Sequence, residues 1–427
     1  MENNQPRILV VGISTWNSKS GLTWPFILKK HDSNNIANIY VREEIPDSRV
    51  CSRYFNISEN RVLKSVFNRK IKTGREVFPE ITEENTQDVN EHNERYSKMK
   101  KKRRYSLLMA RELAWKLGNW KTPELDAFLD NYKPDVILYS STTKIHLCDM
   151  VEYVIKKSGA KAVGYIWDDT FTYKQSDEIG YKIYRFFQRK ALKKVAKLTD
   201  RFFAISDMTK KEADEFFGVD SVVLTKPLYR NPVVDYSDFN MPIKAVYTGN
   251  LIIGRDNTLA RIIKAAEKIN SDGVKIKFDI YTRTEIKDEY KSLFNSDFCK
   301  VHDAVPQEEV FEIQQKSDLM LFVEDIDGPD ARVARLSFST KITDYLSSGK
   351  CIFAVGHKDT APMQYFINNE AAVIADNDKE IEEKLSMLVN NPELLIKYAE
   401  NASVLGVKNH NEEKILNTFD EVIKSVL

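Results

Sequence analysis

Twice along this chain a series of short apolar runs alternates with longer segments of helical periodicity, and this doubled rhythm restricts the fold more than any other feature. The first series is Arg7 to Ile13, Ile36 to Val41, Pro134 to Ser140, Lys161 to Trp167, Asp200 to Ser206 and Asp220 to Thr225. Strands separated by helical segments pair in parallel, so the series predicts an α/β, doubly wound sheet. A stretch from Lys226 to Pro242, marked by Pro227 and Pro232, interrupts it and reads as a linker. The alternation restarts with Ile243 to Thr248, Lys275 to Tyr281, Phe298 to His302, Ser317 to Val323, Lys350 to Val355 and Ala371 to Ala375.

A chain of 427 residues exceeds the size at which one core usually stops growing, so two domains are expected. We read residues 1–228 as the first, with a charged insertion at 56–119, and residues 243–410 as the second. Amphipathic spacing predicts helices over Pro392 to Ala402 and Glu412 to Val426. The final segment, 411–427, is expected to pack back on the first domain.

Charge narrows the partners. Sixty-four Lys and Arg against sixty-three Asp and Glu leave a net charge of +1, so no global field draws the molecule to nucleic acid, and none is expected as a partner. Cys51, Cys148, Cys299 and Cys351 are scattered without metal or disulfide spacing. With no signal-peptide pattern after Met1 and no run of eighteen apolar residues, the expectation is a cytoplasmic protein.

In open α/β sheets ligands bind beyond the carboxyl ends of the strands. In the second series the first strand ends in Tyr247-Thr248-Gly249-Asn250-Leu251 and leads through Gly254 to Arg255, a forked cation at a helix start. After the fourth strand come Glu324-Asp325-Ile326-Asp327-Gly328 and then Ser339-Thr340-Lys341-Ile342-Thr343-Asp344. Hydroxyls, a lysine and free helix N–H groups together suit a diphosphate. Asp344 falls one turn beyond Lys341 on the same side. Ser339 and Thr340 are equally good helix caps. His302 and His357 lack partners at metal-ligand spacing and are read as structural.

Taken together, these segments, with Val301-His302-Asp303-Ala304-Val305-Pro306 and Lys341 through Lys350, resemble the donor half of GT-B glycosyltransferases, especially the retaining, family-four-like group. The resemblance implies two Rossmann-like domains facing each other across a cleft, a nucleotide-diphosphate sugar as substrate, and no cofactor or metal. It puts Arg255 and Lys341 on the diphosphate, with Gly249, Asn250, Ser339 and Thr340 beside them, Asp344 at the ribose, and Tyr281 and Val305 near the base. Two Glu residues with seven positions between them usually mark that group; here the second is Asp344 and the first falls on Leu336.

The first domain then holds a saccharide or lipid-linked acceptor. Trp16, Ser20 and Gly21 belong to the loop after its first strand, and Trp16 offers a ring for stacking on a sugar. Asp168 and Asp169 follow another strand, where a carboxylate can orient or deprotonate an acceptor hydroxyl, with Asp168 as the catalytic candidate alongside Arg255 and Lys341. Both also suit the start of a helix. Two basic stretches with apolar neighbours, 98–117 and 181–201, are either solvated faces or sites for an anionic membrane surface on the inner side of the cell membrane. Family analogy points to bacterial surface polysaccharide or glycolipid synthesis. The residues leave open a nucleotide-sugar epimerase of the same fold and a non-catalytic scaffold for membrane or RNA.

Overall fold

A computed structural model of the chain describes residues 5–17, 23–78 and 105–427. Contacts divide the chain into two compact units, one comprising residues 1–205, 210–224 and 416–427 and the other residues 206–209 and 225–415.

The first unit is built on eight strands: β1 (Ile8–Gly12), β2 (Ile36–Tyr40), β3 (Arg53–Ile57), β4 (Gly74–Val77), β5 (Val136–Ser140), β6 (Lys161–Ile166), β7 (Arg201–Ala204) and β8 (Val222–Val223). They run in the order β4-β3-β2-β1-β5-β6-β7-β8. All pairs are parallel except β3 with β4. Strands β1, β2 and β5 are almost wholly buried, as helices on both faces require. Strands β3 and β4 extend the sheet into the region read as a charged insertion. Their sequences, RYFNI and GREV, carry too few consecutive apolar residues to stand out; only β4 is at the edge, while β3 pairs on both sides and is buried despite Arg53 and Asn56.

The C-terminal helix Glu412–Val426 joins this unit from Leu416 onward. Its buried residues Leu416, Phe419, Val422, Ile423 and Val426 recur at helical spacing. Phe419 lies against Phe203 and His31, and His31 Nε2 pairs with Asp420 Oδ1 at 3.0 Å.

In the second unit six parallel strands, β9 (Ile243–Thr248), β10 (Ile276–Thr282), β11 (Cys299–Asp303), β12 (Leu319–Val323), β13 (Cys351–Val355) and β14 (Val373–Ala375), run in the order β11-β10-β9-β12-β13-β14. Alternate residues face two cores: Ile243, Ala245 and Tyr247 to one side, Val246 to the other.

In each sheet the winding direction reverses once, between β1 and β5 and between β9 and β12. Such reversals leave a crevice at the carboxyl ends of the central strands. In the second unit β9 and β12 are in register over only two residue pairs, Leu319 with Ala245 and Met320 with Val246. Beyond them the pairing ends, and the loops starting at Gly249 and Glu324 leave the sheet on either side.

Candidate donor and acceptor sites

At the second crevice the helix Lys341–Ser348 sends its first side chain back to the end of β9. Lys341 Nζ donates to Tyr247 Oη at 2.7 Å and sits 4.1 Å from the centre of that ring. Tyr247 Oη donates in turn to the Asn250 carbonyl at 2.7 Å, so it presents only lone pairs to the lysine. Gly249, at φ +135°, makes the approach possible, since a Cβ there would lie 2.5 Å from Lys341 Cε. Burial and then the Arg255 cation hold the ammonium down at about 7, although Glu324 and Asp344 pull the other way.

Arg255 opens the helix Arg255–Ile269 and is clamped by Glu324 in a bidentate pair, Nη2 to Oε1 at 2.9 Å and Nε to Oε2 at 3.1 Å. Glu324 is 4% exposed, so its charge is compensated chiefly by this guanidinium. Asp344 lies on the same helix face as Lys341, 3.4 Å from Lys226 Nζ, and burial raises its carboxyl. The cluster is thus two cations, Lys341 and Arg255, against Glu324 and Asp344, at the N-terminus of a helix whose Thr340 makes no side-chain cap. Ser339 Oγ accepts weakly from Lys341 N at 3.4 Å. These four charges offset one another, and the positive end of the helix dipole is what favours an added anion.

In the first unit a cavity of about 450 Å³ opens at the β1/β5 reversal. Gly12 to Ser14, Arg42, Ser140 to Thr143 and Asp168 line its polar part, Trp24 and Trp167 form an aromatic wall, and Leu147, Val151, Leu192 and Phe202 an apolar one. Trp24 and Trp167 have ring centres 6.1 Å apart, each braced by Tyr165. Arg42 Nη1 holds Ser14 Oγ at 3.2 Å.

No protein-family model matches the chain, and no curated protein matches its sequence. Solved structures do match. Alr3699/HepE of Anabaena, in complex with UDP, superposes with a TM-score of 0.61 at 9% identity, covering 98% of this chain and all of the other (100%). The α,α-trehalose 6-phosphate synthase of Burkholderia multivorans gives 0.58 at 9% identity, over 99% of this chain and 97% of that one. The fold is GT-B. The pneumococcal O-GlcNAc transferase GtfA, in complex with UDP and GlcNAc, gives 0.50 at 13% identity over 72% of this GT-B chain and 60% of its own length.

Within the GT-B frame the sequence-predicted donor residues separate into two groups. Gly249, Asn250, Arg255, Lys341 and Asp344 come together around Tyr247 and Glu324. Leu336, where the family-four-like pattern has its first Glu, is a fully buried core residue. Of the nearby carboxylates, Glu324 is committed to Arg255, while Asp325 accepts backbone N–H groups of Gly328, Asp330 and Ala331 and so starts a short helix. Tyr281 is stacked on His302 at 4.6 Å, and His302 Nε2 meets Asp279 Oδ1 at 2.6 Å, which agrees with a structural histidine. Val305 is half-buried in the loop before the helix Gln307–Gln315.

On the acceptor side two expectations narrow. Trp16 is among the residues lining the cavity, yet it is 1% exposed and packs edge-on against Tyr54, so little of its ring is open for stacking. Asp169 is buried and accepts from Phe171 N, Thr172 N and Thr172 Oγ1, a turn-closing role that removes it from acid–base work. Asp168 alone of the pair is exposed at the cavity. Ser20 and Gly21 lie outside the described residues. Trp24 and Trp167 carry no sequence signal of a site, whereas Glu324 stands in the acidic run after the fourth strand and is met here as the partner of Arg255. Tyr247 had a signal in its place two residues before Gly249, at the strand end where a buried hydroxyl needs a partner.

Gly249→Ala tests the donor cluster directly. A side chain at φ +135° is strained and collides with Lys341, so unfolding free energy should fall by about 1–3 kcal/mol. In a Lys341→Ala background the collision term disappears and the loss should be smaller. Equal losses in the two backgrounds, measured by urea unfolding, would detach Gly249 from Lys341.

Proposed function

We propose that the chain is a metal-independent glycosyltransferase moving a sugar from a nucleotide-diphosphate sugar to a saccharide or lipid-linked acceptor, in bacterial surface polysaccharide or glycolipid synthesis. One observation carries the reading. A buried lysine whose ammonium is held at about 7, folded over a glycine at a sheet reversal beside a helix N-terminus, gains its charge when an anion binds. The UDP-bound neighbours of the same fold support a pyrophosphate as that anion.

In this reading Lys341, Arg255 and the N–H groups after Ser339 and Thr340 take up charge on the departing nucleotide diphosphate as the anomeric C–O bond breaks. Asn250 and Gly249 flank the phosphates, Asp344 receives the ribose, and Tyr281 and Val305 border the base. The acceptor lies along Trp24 and Trp167, with its hydroxyl proton passing to Asp168 if the anomeric centre inverts. The four cysteines, all buried and unpaired, support a reducing, cytoplasmic location.

The test is a thermal-shift series of the purified chain with UDP, GDP, CDP, ADP and their sugar conjugates. A ligand at 100 times its Kd stabilises the native state by about 2.7 kcal/mol, a readily measured shift. One nucleotide should raise the melting temperature and lose that effect in Lys341→Ala. Failure of every nucleotide would remove the transferase reading.

A further inference from the structure

We infer that the outward face of the helix Ile179–Ala196 is a docking surface for an anionic lipid bilayer. The inference stands apart from the donor-site reading, because it rests on a different part of the molecule.

The helix divides cleanly. Tyr181, Tyr184, Arg185, Gln188, Leu192 and Val195 face inward and are buried. The opposite face begins with Ile179, Ile183, Phe186 and Phe187, which are 77%, 51%, 47% and 44% exposed. It continues with exposed Lys190, Lys193, Lys194 and Lys197. Lys182 lies among the apolar residues. From 179 to 197 the sequence holds no Asp or Glu, in a chain whose charges otherwise almost cancel.

Contacts around the face pair Lys182 and Lys194 with carboxylates and leave Lys190, Lys193 and Lys197 to carry its charge. Arg185 and Arg189, which the sequence suggested as surface cations, turn inward. Arg185 bonds Tyr181 Oη and Gln175 Oε1, and Arg189 reaches the Phe171 carbonyl. Lys194 is paired with Glu152 at 2.6 Å and Lys182 with Asp177 at 3.7 Å, and Lys193 lies 4.7 Å over the Phe216 ring with its charge uncompensated by it. Lys190 lies 4.6 Å over the Phe186 ring, its long stem on the apolar patch and its head free to move outward. Alongside runs the helix Tyr105–Leu117, packed through Tyr105 against Tyr181 and Tyr184, with Leu107, Leu113 and Leu117 about half exposed. Its Trp115, expected on a docking face, is buried and stacked on His146. The basic run 98–104 lies outside the described residues.

Charge complementarity selects the occupant. A second copy of this face would set lysines against lysines or against hydrocarbon, and a nucleic acid would leave four large apolar side chains in water. A bilayer takes both halves: the apolar end enters the headgroup boundary while the lysines meet anionic headgroups. No helix among the described residues is long and apolar enough to cross a membrane, so the contact is an interfacial one.

The experiment is flotation of the full chain with vesicles of phosphatidylcholine alone, or with about 30 mol% phosphatidylglycerol in the mixture. The chain should float with the anionic vesicles and stay behind with the neutral ones. Phe186→Ser/Phe187→Ser and Lys190→Glu/Lys193→Glu, all at exposed positions, should each lower the floated fraction about tenfold with unchanged circular dichroism and melting temperature. Equal flotation with both lipids, or variants that float like the parent, would overturn the inference. So would a dimer dispersed by the phenylalanine pair, which reassigns the face to a second copy, or salt-sensitive RNA binding lost in the lysine pair.

Discussion

Lys341→Met should raise the melting temperature of the unliganded protein while removing its response to nucleotide. The cause is the cost of burying an ammonium. Folding lowers Lys341 from its ordinary value of 10.5 to about 7, chiefly by burial and secondly through Arg255. Between those values the unfolded chain binds the extra proton, so this group's contribution to stability rises with pH and the penalty is nearly complete at neutrality. At about 1.4 kcal/mol per pH unit the shift corresponds to a burial cost on the order of 5 kcal/mol. Methionine keeps the stem over Gly249 and loses the charge; Tyr247 Oη keeps its acceptor at the Asn250 carbonyl. Replacing buried charge by a fitting apolar group returns roughly 1–4 kcal/mol in comparable cases.

The same lysine makes nucleotide affinity depend on pH. A bound diphosphate favours the charged form, so above about 7 binding takes up a proton, and affinity should fall by up to tenfold per pH unit. Calorimetry with UDP between neutral and alkaline pH reads that slope, and Lys341→Met should flatten it. A methionine variant that melts lower than the parent, or that still responds to nucleotide, would show Lys341 to be a structural residue.

Periodicity made the sheets legible because their central strands are continuous apolar runs bounded by turns; each of the six runs of the second series overlaps one of the strands β9 to β14 to within a residue or two at either end. The strands β3 and β4 lacked that contrast, one interrupted by polar residues and the other, at the edge, four residues long. Of the site, the positions were legible and the partners were not. Gly249, Arg255, Lys341 and Asp344 stand at strand and helix ends, where sequence alone predicts exposure to a ligand. That Arg255 spends its fork on Glu324, 69 residues away, depends on where two loops converge. Trp16 shows the same limit: it lines the cavity as its position after β1 suggested, yet its ring is almost wholly buried against Tyr54.

Acidification should unfold the second unit partly through a single histidine far from Lys341 in sequence. His410 caps the helix Glu393–Asn409; its Nδ1 meets the Lys226 carbonyl at 2.7 Å and its Nε2 the Tyr365 hydroxyl at 2.8 Å. The first contact needs a ring N–H and the second is satisfied by a lone pair, so the neutral tautomer fits both groups. Burial lowers the ring from 6.5 to about 4, against the smaller opposing pull of the Lys226 carbonyl. A base whose folded value is depressed stabilises the native state above its unfolded value, and that stability is lost as pH falls through the interval from 6.5 to about 4. The total is about 3 kcal/mol. His410→Gln, neutral throughout, should be less stable than the parent at pH 7 and should converge on it by pH 4, in urea unfolding followed across that range. Parallel curves would assign the acid sensitivity to carboxylates instead, and would leave His410 as a helix stop whose charge state the fold does not control.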